Sequence, residues 1–259
     1  MIGIFDSGVG GMTVARAVEK LLPSCPQIYF GDLARTPYGS KSPDTIFRYS
    51  VQNMEFLLSR GARLVIIACN SAASVASDEL RKIFDVPIFE VISPAAQRAV
   101  TATKTGRIGV IGTRATIKSE AYNKKISKQA LDTKVFSKAC PLLVPLVEEG
   151  WLDKRETKMI LRRYLYPLKL KQVDTLILGC THYPLLKKLI QPRIGTRVTI
   201  IDSSEEVACA LKKYLDSDQQ LKDLLFSERE TQYYVSDVTD TAKSIAQRIF
   251  GRKIELLSV

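Results

Sequence analysis

No uninterrupted apolar segment of this 259-residue chain approaches the roughly 18 residues that a membrane helix needs. The N-terminus enters an apolar, strand-like run at Ile2 with no basic leader before it. A cytoplasmic protein is therefore expected, with no membrane partner. The five cysteines are odd in number and include no Cys-x-x-Cys pair, which argues against a disulfide framework and a zinc knuckle. Only one histidine is present, His182. A metal held by Cys69, Cys180 and His182 would have too few ligands for a structural zinc site and an unusual set for a catalytic one. The Gly-Lys-Ser/Thr of a P-loop is missing, and no lysine stands in a recognisable Schiff-base context. No cofactor is expected. Low-complexity segments and long linkers are absent too, and with 46% hydrophobic residues disorder is excluded in favour of one large or two modest cores.

Acidic residues are scarce, but unevenly so. Residues 94–202 carry 21 Lys and Arg against 8 Asp and Glu, a net of +13, whereas the rest has 17 against 19, a net of −2. A basic middle segment can attract nucleic acid. Its lysines are scattered and not interleaved with aromatics, so a solvated basic surface that draws anionic substrates is the better reading. Nucleic acid is not an expected partner, and strong salt-dependent DNA retention would be needed to argue otherwise.

What is present is a pattern that occurs twice. Leu64 to Ser71 (LVIIACNS) and Thr175 to His182 (TLILGCTH) are apolar runs of strand length that end in a cysteine followed by amide or hydroxyl side chains. Ile2 to Ser7 (IGIFDS) is echoed by Ile108 to Thr113 (IGVIGT), and Val86 to Glu90 by Val198 to Asp202. The offsets, 106, 111 and 112 residues, are nearly constant. Buried parallel strands all read as Val, Ile and Leu, so one match means little, but three in the same order indicate duplication. Strand and helix patterns alternate throughout, as a mainly parallel sheet with crossover helices requires. The expected fold is α/β, with two pseudo-symmetric lobes and an active site in the cleft between them. The first lobe takes residues 1–93 plus 203–259 and the second takes 94–202. Ser42-Pro43 and Ser93-Pro94 are read as helix starts, with serine capping and proline at the first helical position.

Ligands in open α/β sheets collect beyond the carboxyl ends of the strands, which directs attention to Cys69 and Cys180. Either can be an inert core thiol, but Asn70, Ser71, Thr181 and His182 make a polar cluster behind them. A thiolate near a helix N-terminus is stabilised by the dipole, and His182, two positions from Cys180, is placed for proton transfer. Cys25, Cys140 and Cys209 are read as filler or loop residues. The turn from Asp6 to Met12, rich in glycine, can cradle an anion at a helix start, and it also resembles the phosphate loops of sugar kinases and actin-like proteins. That alternative leaves both cysteine strands unexplained. Asp6 is either a helix N-cap or a working carboxylate.

The segments GIFDSGVGGMTV (3–14), GDLARTPYGSKS (31–42), ACNSAAS (68–74), PLVEEG (145–150) and GCTHYPLL (179–186) resemble glutamate racemase, in order over nearly the whole chain. The resemblance implies a cofactor-independent enzyme that supplies D-glutamate for peptidoglycan. Removing an α-proton from one face and returning one to the other requires two acid/base groups, and thiols with a pKa near about 8.5, lowered somewhat by their site, suit both tasks. By the resemblance Cys69 deprotonates D-glutamate and Cys180 L-glutamate, with Asp6 supporting Cys69 and His182 supporting Cys180. Asp32 and Glu148 match further acidic positions near the site. Asp6 and Ser7, Tyr38 and Gly39, Asn70 and Ser71, and Thr181 and His182 are the implied substrate contacts, with Thr113 added as the echo of Ser7. Such groups bind two carboxylates without an arginine and leave the cleft neutral enough for thiolates. The departure from the family lies at Ser71 to Ser74, where Ser71 keeps a threonine's hydroxyl and loses its methyl. Members acting on aspartate commonly carry Glu at the position of His182, which favours glutamate. A homodimer is expected.

Overall fold

The computed structural model describes residues 1–226 and 229–259. Ten strands are assigned among them: β1 (Ile2–Asp6), β2 (Gln27–Gly31), β3 (Leu64–Ile67), β4 (Ile88–Glu90), β5 (Arg107–Gly112), β6 (Lys134–Ala139), β7 (Thr175–Gly179), β8 (Thr199–Asp202), β9 (Gln232–Val235) and β10 (Leu257–Ser258). They form two sheets, ordered β10-β9-β2-β1-β3-β4 and β6-β5-β7-β8, and every pairing is parallel. β1, β2, β3 and β7 are buried along their whole length. Helices cover both faces, which is why these strands read as unbroken apolar runs rather than alternating ones.

The echoes in the sequence are structural equivalents. β1, β3 and β4 stand in the first sheet in the order that β5, β7 and β8 take in the second. The register agrees as well: Ile2 pairs with Leu64, and Ile108 with Thr175. Beyond Asp202 a helix, Ser203–Ser217, opens with the Asp202 carboxylate accepting from Ser204 N at 2.9 Å, and the chain then supplies β9 and β10 to the first sheet.

The apolar interior is less divided than the sheets. Ile108, Val110, Ile177 and Ile201, on one face of the second sheet, belong to the large core built around the first. Ile111, Leu176 and Leu178, on the other face, join a smaller core with Cys140, Leu161, Leu165 and Tyr183. Strand alternation sends neighbours to opposite faces, and the helix Ile92–Ala102 packs against β7 and β8, so one face of the second sheet is shut against the first.

The helix start at Ser42 forms as expected: Pro43–Ser59 begins with Ser42 Oγ accepting from Thr45 N. The start expected at Ser93-Pro94 does not. The helix Ile92–Ala102 begins two residues before Pro94, where the Glu90 carboxylate accepts from Ile92 N at 2.5 Å and from Ser93 N at 3.0 Å. Pro94 sits at the third helical position, within the first turn, where amides lack intrahelical partners and a missing N–H costs nothing.

Candidate active site

Parallel strands deliver their carboxyl ends to one edge of a sheet. β1 ends at Asp6 and runs into Ser7, β3 leads to Cys69, β5 to Thr113 and β7 to Cys180. The two edges face each other closely enough for Thr181 Oγ1 to donate to Asp6 Oδ1 at 3.4 Å. Both thiols are enclosed, each residue only 5% exposed.

On the first side, Cys69 is the cap residue of the helix Asn70–Ile83, and its sulfur lies 3.5 Å from Ser7 Oγ. The expectation that the helix dipole would lower its pKa is wrong. Burial, with the Asp6 charge beside it, pushes the thiol up to about 12 against the smaller pull of the Ser7 and Ala72 contacts. Asp6 is itself raised, to about 6, because it is completely enclosed; the His182 charge, the Gly8 amide (3.0 Å) and Thr181 limit that rise. Asp6 is not the N-cap of the helix Met12–Leu21, a position held by Gly11.

Nor does the glycine-rich turn cradle an anion on its Gly8 amide, which is already spent on Asp6. Its glycines make room. A Cβ on Gly11 would come within 2.3 Å of Asp6 Cβ, and one on Gly10 within 2.5 Å of His182 Nδ1 and 2.6 Å of Thr181 Oγ1. Thr13, which sequence reasoning did not single out, pins this approach: its hydroxyl is 2.9 Å from Gly10 O, 3.2 Å from Thr181 O and 2.8 Å from Ser204 Oγ. No signal in the sequence marks Ser204 for that role.

On the second side, His182 lies between two partners. Nδ1 is 4.0 Å from Cys180 Sγ, and Nε2 is 3.2 Å from Glu148 Oε1, an ion pair in which the ring N–H is not aligned for a hydrogen bond. Burial works against the imidazolium, but the contacts with Cys180 and Glu148 together outweigh it and push the ring up to about 10. The two sides thus differ in what stands beside the sulfur: the Asp6 carboxylate at Cys69 and the His182 imidazole at Cys180. A carboxylate beside one thiol and an imidazole beside the other are both groups able to move a proton to or from sulfur.

Of the two extra acidic positions, only Glu148 is brought to a thiol's partner. Asp32 is completely buried inside the first lobe, with Arg35 Nε 2.7 and 2.9 Å from its two oxygens and Tyr38 OH donating to it. Asn53 Nδ2 also donates to Tyr38 OH, at 3.1 Å, so that side chain is held by the lobe, and Gly39 is what meets the opposite edge. A Cβ on Gly39 would lie 2.5 Å from Thr113 Cβ. Thr113 Oγ1 in turn is 2.8 Å from Ser71 Oγ, which closes the seam above the thiols. Among the described residues no group of three or more His, Cys, Asp and Glu is placed to hold a metal ion.

A buried thiol at the end of an interior strand in each of two facing parallel sheets defines the class, an α/β enzyme with a cysteine on either side of the seam between its sheets. The family model for Asp/Glu/Hydantoin racemase matches residues 12–211, and the chain belongs to that family. The glutamate racemase of Geobacter metallireducens is 45% identical over 98% of this chain and 93% of its own length; that of Syntrophus aciditrophicus is 47% identical with the same coverage. Among solved structures, a glutamate racemase isoform from Bacillus anthracis superposes with a TM-score of 0.93 at 36% identity, covering 100% of this chain and 97% of that one. The glutamate racemase of Francisella tularensis in complex with D-glutamate gives 0.90 at 33% identity, covering 100% and 96%.

Proposed function

We propose that this racemase interconverts L- and D-glutamate without a cofactor, Cys69 serving the D enantiomer and Cys180 the L enantiomer. The observation that carries the reading is the pair of thiols at equivalent strand ends of two like-ordered sheets, each with its own ionisable partner. In the L-to-D direction Cys180 takes the α-proton while the Cys69 thiol, already protonated, delivers one to the other face. In the reverse direction Cys69 must first lose its proton, and Asp6, ionised above about pH 6, is the base beside it. His182, held by Glu148, exchanges the proton of Cys180. The substrate contacts in this reading are Asp6, Ser7, Tyr38, Gly39, Asn70, Ser71, Thr113, Thr181 and His182. The likeness to glutamate racemases over nearly the whole chain supports glutamate over aspartate.

The same reading assigns the lobes as residues 1–93 plus 203–259 and 94–202, and places the enzyme as a cytoplasmic homodimer supplying D-glutamate for peptidoglycan. For location, the structure offers that no described helix is long and apolar enough to cross a membrane. Incubation of the enzyme with pure L-glutamate in deuterium oxide tests the reaction: optical rotation should decay to zero as deuterium enters the α-position. Retained rotation with no label ends the proposal, and label in aspartate but not glutamate reassigns the substrate.

A further inference from the structure

Tyr122 has no part in the chemistry above, yet it touches both halves of it. It lies in the helix Ala121–Gln129 of the second lobe and is 2% exposed. Its hydroxyl donates to Asn70 Oδ1 at 2.8 Å, across the seam to the residue that directly follows Cys69. Its ring covers the backbone of the residue that directly precedes Cys180: a Cβ on Gly179 would stand 3.1 Å from Tyr122 Cε2 and 3.7 Å from Cζ. One rigid side chain thus spans from one cysteine segment to the other.

The surrounding bonds close the link. Asn70 Nδ2 donates to Ser203 Oγ at 3.5 Å, and Ser203 Oγ donates to Leu178 O at 3.0 Å, on the strand that delivers Cys180. Gly179 has no side chain to hold the ring off, and Asn70 is 2% exposed, so an unmade bond at its amide would leave a buried polar atom without a partner. An aromatic ring of fixed length transmits position in a way that a flexible side chain of similar volume does not, because it has only two side-chain torsions.

We propose that Tyr122 is the spacer that sets the separation of the two cysteine-bearing strand ends and orients the Asn70 amide in the closed site. It is a positioning residue, and its effect on turnover rests on the two-cysteine reading above. Racemisation needs both sulfurs in reach of one carbon, and misplacing a reacting group by about 1 Å costs on the order of 100-fold in rate.

Tyr122→Phe and Tyr122→Leu separate the two parts of this role. Both are compared with the wild type using unlabelled and α-deuterated L- and D-glutamate, with circular dichroism to establish folding. Tyr122→Phe keeps the ring and loses the bond to Asn70, so KM should rise about tenfold for both enantiomers with kcat within about threefold. Tyr122→Leu loses the ring, so kcat should fall on the order of 100-fold and the primary isotope effects should increase in both directions as proton transfer becomes slower than the other steps. A folded Tyr122→Leu with wild-type kcat and isotope effects overturns the spacer, and unchanged KM in Tyr122→Phe overturns the orientation of Asn70. If Tyr122→Leu does not fold, the KM and kcat of Tyr122→Phe decide: a loss confined to kcat also overturns the inference. The sulfur-to-sulfur distance in crystal structures of the wild type and the variants does not depend on activity. It should change in Tyr122→Leu and stay constant in Tyr122→Phe, and a constant distance in both overturns the spacer even if the wild type fails to label glutamate, a failure that by itself would remove only the racemase reading.

Discussion

Gly10 and His182 come from opposite lobes, and a single methyl group on Gly10 would lie 2.5 Å from the His182 ring nitrogen that faces Cys180. The glycine is therefore a clearance rather than a hinge. Gly10→Ala should leave a folded protein, less stable by about 1–3 kcal/mol from overpacking, with turnover of glutamate reduced on the order of 100-fold as the imidazole is displaced. Circular dichroism and a racemisation assay check this together; wild-type turnover would show that the lobes can separate at that point without consequence.

Cys69→Ala and Cys180→Ala should each abolish racemisation while the fold persists, because each face of the substrate needs its own proton carrier. The measurement is optical rotation over time from either enantiomer, beside a thermal melt. Near-wild-type racemisation by either variant rules out a mechanism with one thiol per face.

Asp6 has a pKa raised from an ordinary value near 3.8 to about 6, so the native protein binds this proton more tightly than the unfolded chain does. The stability it contributes is complete below about pH 4 and is lost as pH rises through 6. Asp6→Asn removes that loss and should be more stable than the wild type by about 3 kcal/mol at pH 7.5, with no difference below pH 4. Asp202, also raised to about 6 by burial, keeps part of the slope in the variant. Turnover should fall on the order of 100-fold, and the acid limb of kcat/KM near pH 6 should disappear with the carboxylate. Denaturant titrations across pH and the pH profile of kcat/KM are the two readouts.

His182 is raised from 6.5 to about 10, so its contribution to stability is complete below pH 6.5 and declines as pH rises through 10. His182→Asn should flatten stability against pH in that window. Its kinetic effect is constrained by an equilibrium constant of one: kcat/KM must fall equally in both directions, and asymmetry can appear only in kcat and KM separately or in the isotope effects. The primary deuterium isotope effect should therefore change most with α-deuterated L-glutamate, the substrate that Cys180 deprotonates. If kcat/KM and both isotope effects stay at wild-type values, the imidazole is only structural.

Ser42-Pro43 and Ser93-Pro94 show how far local reading reaches. The two dipeptides are equivalent as sequence, and only the first starts a helix at its proline, because near the second the Glu90 carboxylate reaches the free amides and the helix begins two residues before the proline. Asp32 and Glu148 give the same lesson in the site. Both are acidic residues in matching motifs, yet Asp32 is folded back onto Arg35 and Tyr38 while Glu148 meets His182.

The sequence by itself determined the strands, their duplication and the two thiols at their ends, because apolar runs of strand length and the polar residues that follow them are local properties of the chain. The tertiary structure alone decided what surrounds each thiol. A thiol's pKa is a sum over everything packed around it, and at Cys69 desolvation and the Asp6 charge, from a strand more than sixty positions away, prevail over the helix end that sequence reading could see. Tyr122 was invisible for the same reason: fifty-two positions separate it from Asn70, and only the closing of one lobe on the other brings them into contact.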